Sequence, residues 1–415
     1  MKYGDCKTRA MMNAIFLALI TTAALSEAVD YSGYKLYKAG PVTSDSPELL
    51  RKLVERGYDL SGSGQDNSMN ILVSPDQKDE FESIMSDANM NSKVVVHDFD
   101  KAIQREKRDA KNKNSTFEFD RFPRYHEIVN WMYEMVNGSK YARMIKIGTS
   151  FEGRQILGIR LQSSFENPVI FIDAGIHARE WAAPVTALYI IKKLIELEEI
   201  LAKKATIYVI PCANPDGYEF THEENRYWRK SRSTSNSSSC VGVDINRNFD
   251  SYWGEFGVNF QPCSSTFPGS SAFTEPEAIA IANAILKIKP MMYLTLHSYG
   301  SLLLYPWGFT NDLPPNWKEL DSLARNASEA LSRVNGQNYV IGSSTNVLYR
   351  ASGGSDDWAM EKANVSLVYT MELPQYGTGF VVPVEKIIPM GEETFAAFDV
   401  FVRYVCSKAH KRNCD

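Results

Sequence analysis

Histidine and cysteine are both scarce in this chain, at six of each among 415 residues, so any chemistry that uses them rests on very few positions. Charge of one sign is not in excess: the formal net charge is -5 and the pI near 5.8, which gives no reason to expect nucleic acid or an anionic membrane surface as a partner. After the N-terminal region no apolar run is long enough to span a ~30 Å hydrocarbon core. There is no internal repeat, and the His-Glu-x-x-His pattern of one large endopeptidase class is missing altogether. What remains, 44% hydrophobic and 23% charged residues, is the composition of a soluble globular protein with a sizeable core. Its length suits two domains.

The N-terminus carries Lys2, Lys7 and Arg9, then "AIFLALITTAAL", then "SEA", which reads as a secretory signal cut after Ala28. The mature product is therefore expected to be secreted, soluble and monomeric. Loss of Cys6 with the signal leaves Cys212, Cys240, Cys263, Cys406 and Cys414, an odd number for an oxidising compartment. Cys240 and Cys263 bracket a Ser, Gly and Asn-rich loop and are favoured as a disulfide. Cys406 with Cys414 is a second candidate pair, which would leave Cys212 free on a buried strand. Sequons stand at Asn114, Asn137, Asn236, Asn326 and Asn364.

Residues from about Val29 to Lys113 form a separate small α+β unit. "PELLRKLVERG" reads as a helix, "MNILVSP" as a strand, "DQKDEFESIMSDA" as a helix capped by Asp76, and "SKVVVHDF" as a strand. The unit ends in "DKAIQREKRDAKNKNST", with almost no apolar residue after Ile103. This predicts an exposed linker, or a solvated helix face, that offers Arg105, Lys107, Arg108, Lys111 and Lys113 to a trypsin-like protease. From Phe117 the rhythm becomes α/β: "NPVIFIDA", "ATIYVIP", "MMYLTLH" and "VSLVYTMEL" are buried strands separated by helical stretches such as "APVTALYIIKKLIELEEILAKK". The expectation is a mixed central sheet with helices on both faces and a ligand site beyond the carboxyl ends of its strands.

Two of the six histidines, His177 and His297, directly follow such strands; Glu180 stands three residues after His177, and Glu372 ends a third strand. A catalytic zinc needs about three protein ligands of nitrogen and oxygen type and one open position, which His177, Glu180 and His297 supply. Glu372 would remain as general base. A lone His-x-x-Glu pair is most often a capping or solvated pair, so its weight comes from its neighbours. "NPDGYEFTHEENRYWRK" holds Arg226 and Arg229, and "VGVDINRNFD" holds Asp244, Asn246 and Arg247, donors suited to a carboxylate. Lys230 and Arg232 read better as members of surface ion pairs.

The chain resembles the secreted zinc metallocarboxypeptidases of the pancreatic A/B type (the M14 family), which are made as proenzymes. The resemblance is carried by "GIHAREW", "NPDGY", "NRYWRKSR", "CVGVDINRNFD", "LHSYG", "YPWG", "LYRASGGSDDW" and "MELP", in the family's order. It implies a signal over 1–28, an activation propeptide of ferredoxin-like α+β fold over 29–113 and a catalytic domain over 114–415. It also implies one zinc ion on His177, Glu180 and His297, with Glu372 promoting water attack and Arg229 stabilising the oxyanion. Asn246, Arg247 and Tyr349 would hold the substrate's terminal carboxylate, with Arg179 and Arg226 helping in the groove. Asp244 would orient His177, and Ser298, Tyr299 and Phe380 would line subsites. The substrates implied are peptide and protein C-termini.

In this family the position of Asp356 faces the floor of the specificity pocket, apolar in A-like members and aspartate in B-like ones. Asp356 therefore predicts release of C-terminal Lys or Arg, since a buried carboxylate favours a cationic partner. Ser344, where a B-like glycine would stand, leaves an A-like or mixed preference as the alternative. The reading from another class is an inactive relative that binds peptides. Activation is expected after Arg108, Lys111 or Lys113.

Overall fold

A computed structural model describes residues 29–41, 49, 52–53, 56–63, 68–111, 117–235 and 238–410. The signal-peptide reading, Lys113, Cys414 and the sequons at Asn114 and Asn236 lie outside them.

The N-terminal unit is a four-stranded antiparallel sheet in the order β2-β3-β1-β4, built from β1 (Lys35–Ala39), β2 (Asp59–Ser63), β3 (Ser68–Val73) and β4 (Ser92–Val96). Helix α1 (Lys78–Asp87) packs Phe81, Ile84 and Met85 against Tyr37, Ile71 and Val73. Its N-cap position is Gln77 with no side-chain cap, not Asp76 as the sequence suggested. Asp76 lies one residue too early, and the Ser74 hydroxyl holds its carboxyl below the usual range. The charged segment after β4 is more ordered than expected. It forms helix α2 (Phe99–Lys111), whose Phe99, Ile103 and Glu106 recur at helical spacing and are all buried.

The larger unit is an eight-stranded mixed sheet in the order β11-β10-β12-β9-β7-β8-β6-β5, with helices on both faces. The strands are β5 (Ala142–Thr149), β6 (Gln155–Leu161), β7 (Val169–Ala174), β8 (Thr206–Ile210), β9 (Met292–Ser298), β10 (Leu302–Tyr305), β11 (Val340–Ser343) and β12 (Leu367–Leu373). Helix α3 (Tyr125–Val136) and helix α4 (Ala182–Glu196) share one core with the long C-terminal helices, through Met132, Leu188, Leu323 and Phe401. The predicted long helix after β7 breaks at Leu197, so α5 (Glu198–Lys204) is separate, and α6 (Pro215–Glu223) follows β8. The other face carries α7 (Pro276–Ile288), which packs Ile281 and Ile285 against Phe171 and Tyr293. Completing the fold are α8 (Trp317–Asn335), the short α9 (Ser344–Val347), α10 (Ser355–Glu361) and α11 (Ile387–His410).

The central strands β7, β9 and β12 are parallel neighbours and are buried on both faces, which is why they read as unbroken apolar runs. Their register fixes the site: Glu372 lies opposite His297, and Ala174 opposite Leu296. His177 therefore emerges just beyond the same edge.

Cys240 is bonded to Cys263, with Cα atoms 5.1 Å apart, and Cys212 is a buried free thiol. Cys406 is also disulfide-bonded. Among the described residues no helix is long and apolar enough to cross a membrane.

The first turn of helix α7 carries a buried carboxyl, Glu277, whose Oε1 accepts from the Phe151 amide at 3.0 Å while Oε2 has no partner. Burial pushes this group up to about 7. An acid raised in the fold stays protonated there while the unfolded chain ionises, so it withdraws stability as pH climbs from its unfolded value of ~4.5 to ~7, and no more above that. Glu277→Gln should remove up to about 3 kcal/mol of that pH dependence. Urea unfolding of both proteins at pH 5 and pH 8 measures it; equal slopes in the two would contradict the assignment.

Candidate metal centre and substrate groove

Three side chains at the carboxyl edge of the sheet share one small space. His177 Nδ1 lies 2.7 Å from Glu180 Oε1, while His297 Nδ1 lies 3.0 Å from Glu180 Oε2 and 3.1 Å from His177 Nδ1. All three residues are buried, and among the described residues theirs is the one group of three or more His, Cys, Asp or Glu that could hold a metal ion. Two ring nitrogens facing each other across 3.1 Å repel unless a proton or a cation lies between them, and the carboxylate adds negative charge at the same point. This donor set of two nitrogens and one oxygen suits a divalent zinc-like ion.

Charge in the site is tightly coupled. Burial alone would keep His297 neutral, but the Glu180 and Glu372 carboxylates outweigh it and hold the imidazole up at about 9. Burial and the Arg229 cation push His177 down instead. Burial of Glu180 is overcome by the two imidazoles, which hold its carboxyl well below the usual range. Glu372 goes the other way, to about 8, because burial and the Glu180 charge disfavour its anion more than His297 and Arg229 support it.

Behind His177 stands Asp244, fully buried, with Oδ1 3.3 Å from His177 Nε2 and Oδ2 2.9 Å from both Nε and Nη2 of Arg229. Arg229 above all overcomes the burial penalty and keeps this carboxyl ionised. One aspartate thus contacts a histidine of the candidate metal centre and a cation together. Asp244 also begins the turn that follows, accepting from the Asn246 amide at 3.1 Å.

The cleft around this centre is lined by Arg179, Arg229, Asn246, Arg247, Ser298, Tyr299, Tyr349, Asp356, Glu372 and Phe380 together with His177, Glu180 and His297. Asn246 gives its Oδ1 to the Ser355 amide at 2.9 Å, which leaves Nδ2 as a donor for the cleft. Arg247 is positioned by the carbonyls of Gly257 and Asn246, at 3.1 and 2.9 Å. Gly353 makes this possible: its φ is +74°, and a Cβ would sit 2.2 Å from the Arg247 carbonyl oxygen. Tyr349 is 44% exposed on the rim. Asp356 accepts from the Asp357 amide at 2.9 Å and from Thr370 Oγ1 at 3.0 Å.

Sequence reasoning missed several residues here. Thr370 stands two positions before Glu372 on β12 and so shares its face, a period-of-two signal that could have found it. Leu60 comes from β2 of the N-terminal unit and lines the cleft, where no sequence pattern pointed.

Arg226 is not placed as expected. It is fully buried, it does not line the cleft, and its guanidinium is held by Glu106 of α2, with Nε to Oε2 at 2.5 Å and Nη2 to Oε1 at 3.1 Å. It also donates to the carbonyls of Arg179 and Phe380 and stacks over Trp181 at 3.7 Å. The reason is the N-terminal unit. Tyr31, Leu36, Phe99 and Ile103 form one buried cluster with Tyr227, Tyr299, Phe380 and Val381, and so cover this part of the groove. Arg179 lies beneath, its guanidinium 4.3 Å from the Phe380 ring.

Lys230 also differs from expectation. It is buried, donates to the Pro262 carbonyl at 2.6 Å and is pushed down to about 8 by burial. Arg232 lies against the Phe220 ring at 3.5 Å.

The zinc carboxypeptidase family profile matches residues 128–397, and the carboxypeptidase activation peptide profile matches residues 37–106. Carboxypeptidase B of Astacus astacus is 43% identical over 291 residues, covering 68% of this chain and 96% of that protein. Zinc carboxypeptidase A 1 of Drosophila melanogaster is 34% identical over 406 residues, covering 91% and 93%. Among solved structures, carboxypeptidase A from Helicoverpa armigera superimposes with a TM-score of 0.85 at 30% identity, covering 92% of this chain and 99% of that one.

The His297→Ala variant should purify with far less than the one equivalent of zinc expected for the unaltered protein, as read by atomic emission after exhaustive dialysis. Retention of a full equivalent would remove His297 from the ligand set.

Proposed function

The chain belongs to the zinc carboxypeptidase family and carries that family's activation peptide, and from this premise we propose that it is a secreted proenzyme whose processed form releases a single Lys or Arg from peptide C-termini. Secretion rests on the basic and apolar N-terminal segment ending at Ala28. The one observation that carries the catalytic reading is the placing of His177, Glu180, His297 and Glu372 at a shared sheet edge, with a carboxylate clamp beside them.

His177, Glu180 and His297 would hold the zinc ion, which would supply Lewis acidity to the attacking water and the reacting carbonyl. Glu372 takes the proton of the attacking water and returns it to the departing nitrogen. Burial, with the Glu180 charge, favours the protonated form of Glu372, and a cation held by the three neighbouring residues would favour its carboxylate form. Arg229, fixed by two bonds to Asp244, donates to the carbonyl oxygen as it gains charge, without having to reorganise. Asn246, Arg247 and Tyr349 receive the substrate's terminal carboxylate. An internal peptide bond presents no such group, so cleavage is confined to the last residue.

Asp356 supplies the preference. Only 9% exposed, and with both oxygens already accepting one bond, it has capacity left for an incoming ammonium or guanidinium group. Assay of the processed protein on short peptides ending in Arg, Lys, Leu or Phe tests this, with Arg and Lys expected to lead by about tenfold or more in kcat/KM. A lead for Leu or Phe would instead indicate an A-like pocket. Glu372→Gln should lower kcat by about 100-fold or more with the zinc content unchanged. Undiminished turnover in that variant would remove the general base, and zinc binding without turnover in the unaltered protein would support the inactive peptide-binding reading.

The propeptide keeps the precursor silent by covering Tyr299 and Phe380 and by holding Arg226 through Glu106. A trypsin-like protease releases it by cutting after Arg108, Lys111 or Lys113, beyond Glu106. Mass spectrometry after limited trypsin treatment should find the new N-terminus there, together with a rise in activity. A precursor that releases C-terminal Arg as fast as the processed form would overturn the inhibitory role.

A further inference from the structure

The segment from Pro374 to Val381 runs from the end of β12, which carries Glu372, to Phe380 on the groove wall, and it is gripped from two sides. The outer grip belongs to the propeptide. Asn70 donates to the Gln375 side chain at 3.4 Å, and Phe380 and Val381 pack in the cluster that contains Leu36 and Phe99. From the inside, the Phe380 end is held by the Tyr227 hydroxyl, which accepts from its amide at 3.2 Å, and by Arg226, which donates to its carbonyl at 2.9 Å, while the Tyr376 end is held by the fully buried carboxyl of Glu393 on α11. Its Oε2 accepts from the Tyr376 hydroxyl at 3.0 Å and from Asn335 Nδ2, at the end of α8, at 3.2 Å.

Stability alone does not explain that carboxyl. Its Oε1 is buried and has no partner, as does the Tyr339 hydroxyl close by, and each such atom costs about 1–3 kcal/mol. Burial pushes Glu393 up to about 7. The Tyr339 hydroxyl is itself pushed up, by burial first and then by Glu393, Tyr376 and Glu372. An apolar side chain at 393 would remove the unpartnered oxygen and lose only one thing, the hold on Tyr376 and Asn335. Tyr227 and Arg226 hold the Phe380 end and the short Thr378–Val381 bridge closes the tip, so at the Pro374 end it is Tyr376 that ties the segment to α11.

We propose that Glu393 is a positioning residue, which through Tyr376 takes over from the departing propeptide in holding the Pro374–Val381 segment, so that Phe380 stays aligned in the groove for the residues preceding the scissile bond. The proposal rests on the exopeptidase reading above. Because Phe380 touches the substrate away from the reacting atoms, loss of the hold weakens ground-state and transition-state binding alike. KM therefore rises while kcat stays.

The test uses Tyr376→Phe in the full-length chain, activated with trypsin, on a blocked dipeptide and on a five-residue peptide, both ending in Arg. KM for the longer peptide should rise roughly three- to tenfold, as expected for one lost hydrogen bond, with kcat within about twofold. The dipeptide should be less affected. The uncleaved precursor should lose less thermal stability than the processed enzyme, since the propeptide still grips the segment. Glu393→Gln, which keeps an acceptor for Tyr376, should retain the native KM, whereas Glu393→Leu should reproduce the Tyr376→Phe phenotype. The inference is overturned by an unchanged KM in Tyr376→Phe, by a fall in kcat alone, or by a precursor that loses as much thermal stability as the processed enzyme. If Tyr376→Phe fails to fold, the Gln and Leu pair decides by the same readout, and two identical KM values would overturn it. Absence of any C-terminal release by the unaltered activated protein would instead bring down the exopeptidase reading, and this inference with it.

Discussion

Everything at the active edge depends on one buried carboxylate, Asp244, being shared between a histidine and an arginine. Removed from water, an aspartate is unfavourable unless opposite charge and donors surround it. Here Arg229 supplies two bonds, His177 Nε2 approaches to 3.3 Å and the Asn246 amide donates. Satisfying that one group orients His177, Arg229 and the turn that carries Asn246 and Arg247. The parallel register of β7, β9 and β12 then brings His297 and Glu372 to the same place.

A second buried pair, Glu106 with Arg226, joins the propeptide to this machinery. The arginine's other donors reach the carbonyls of Arg179 and Phe380, so the pair also braces the two residues that form the groove wall. Apolar and ionic contacts act together: Phe99 and Ile103 bury the same face of α2 that presents Glu106. The part of the groove at Tyr299 and Phe380 is thereby covered by a helix that composition alone would assign to a solvated linker.

Much of this was legible in the sequence. The buried strands were plain because parallel strands covered on both faces cannot alternate, and the ligands stood directly after them. The mixed sheet with helices on both faces, the zinc family and the Cys240–Cys263 bridge all appear as the residues suggested. What was hidden depended on partners distant in sequence. Lys230 looks like a surface lysine until Pro262 and the disulfide loop fold over it. Arg226 looks like a substrate contact until Glu106 arrives from 120 residues away. Asp76 looks like a helix cap because the sequence does not show that the helix begins two residues later. Thr370 was within reach of a period-of-two reading and was simply overlooked.

The position of Glu106 also determines what proteolysis does and does not accomplish. A cut after Arg108 or beyond leaves the glutamate, Phe99 and Ile103 on the propeptide side of the break, so severing the chain removes none of the contacts that close the groove. What it removes is tethering. A docked domain on a short link experiences an effective concentration of about the millimolar range, whereas a free fragment is present only at its actual concentration. On the proposed proenzyme reading, the same surface would act as an intramolecular seal before cleavage and as a dissociable inhibitor after it, and dilution, as much as the cut itself, would set when the groove opens.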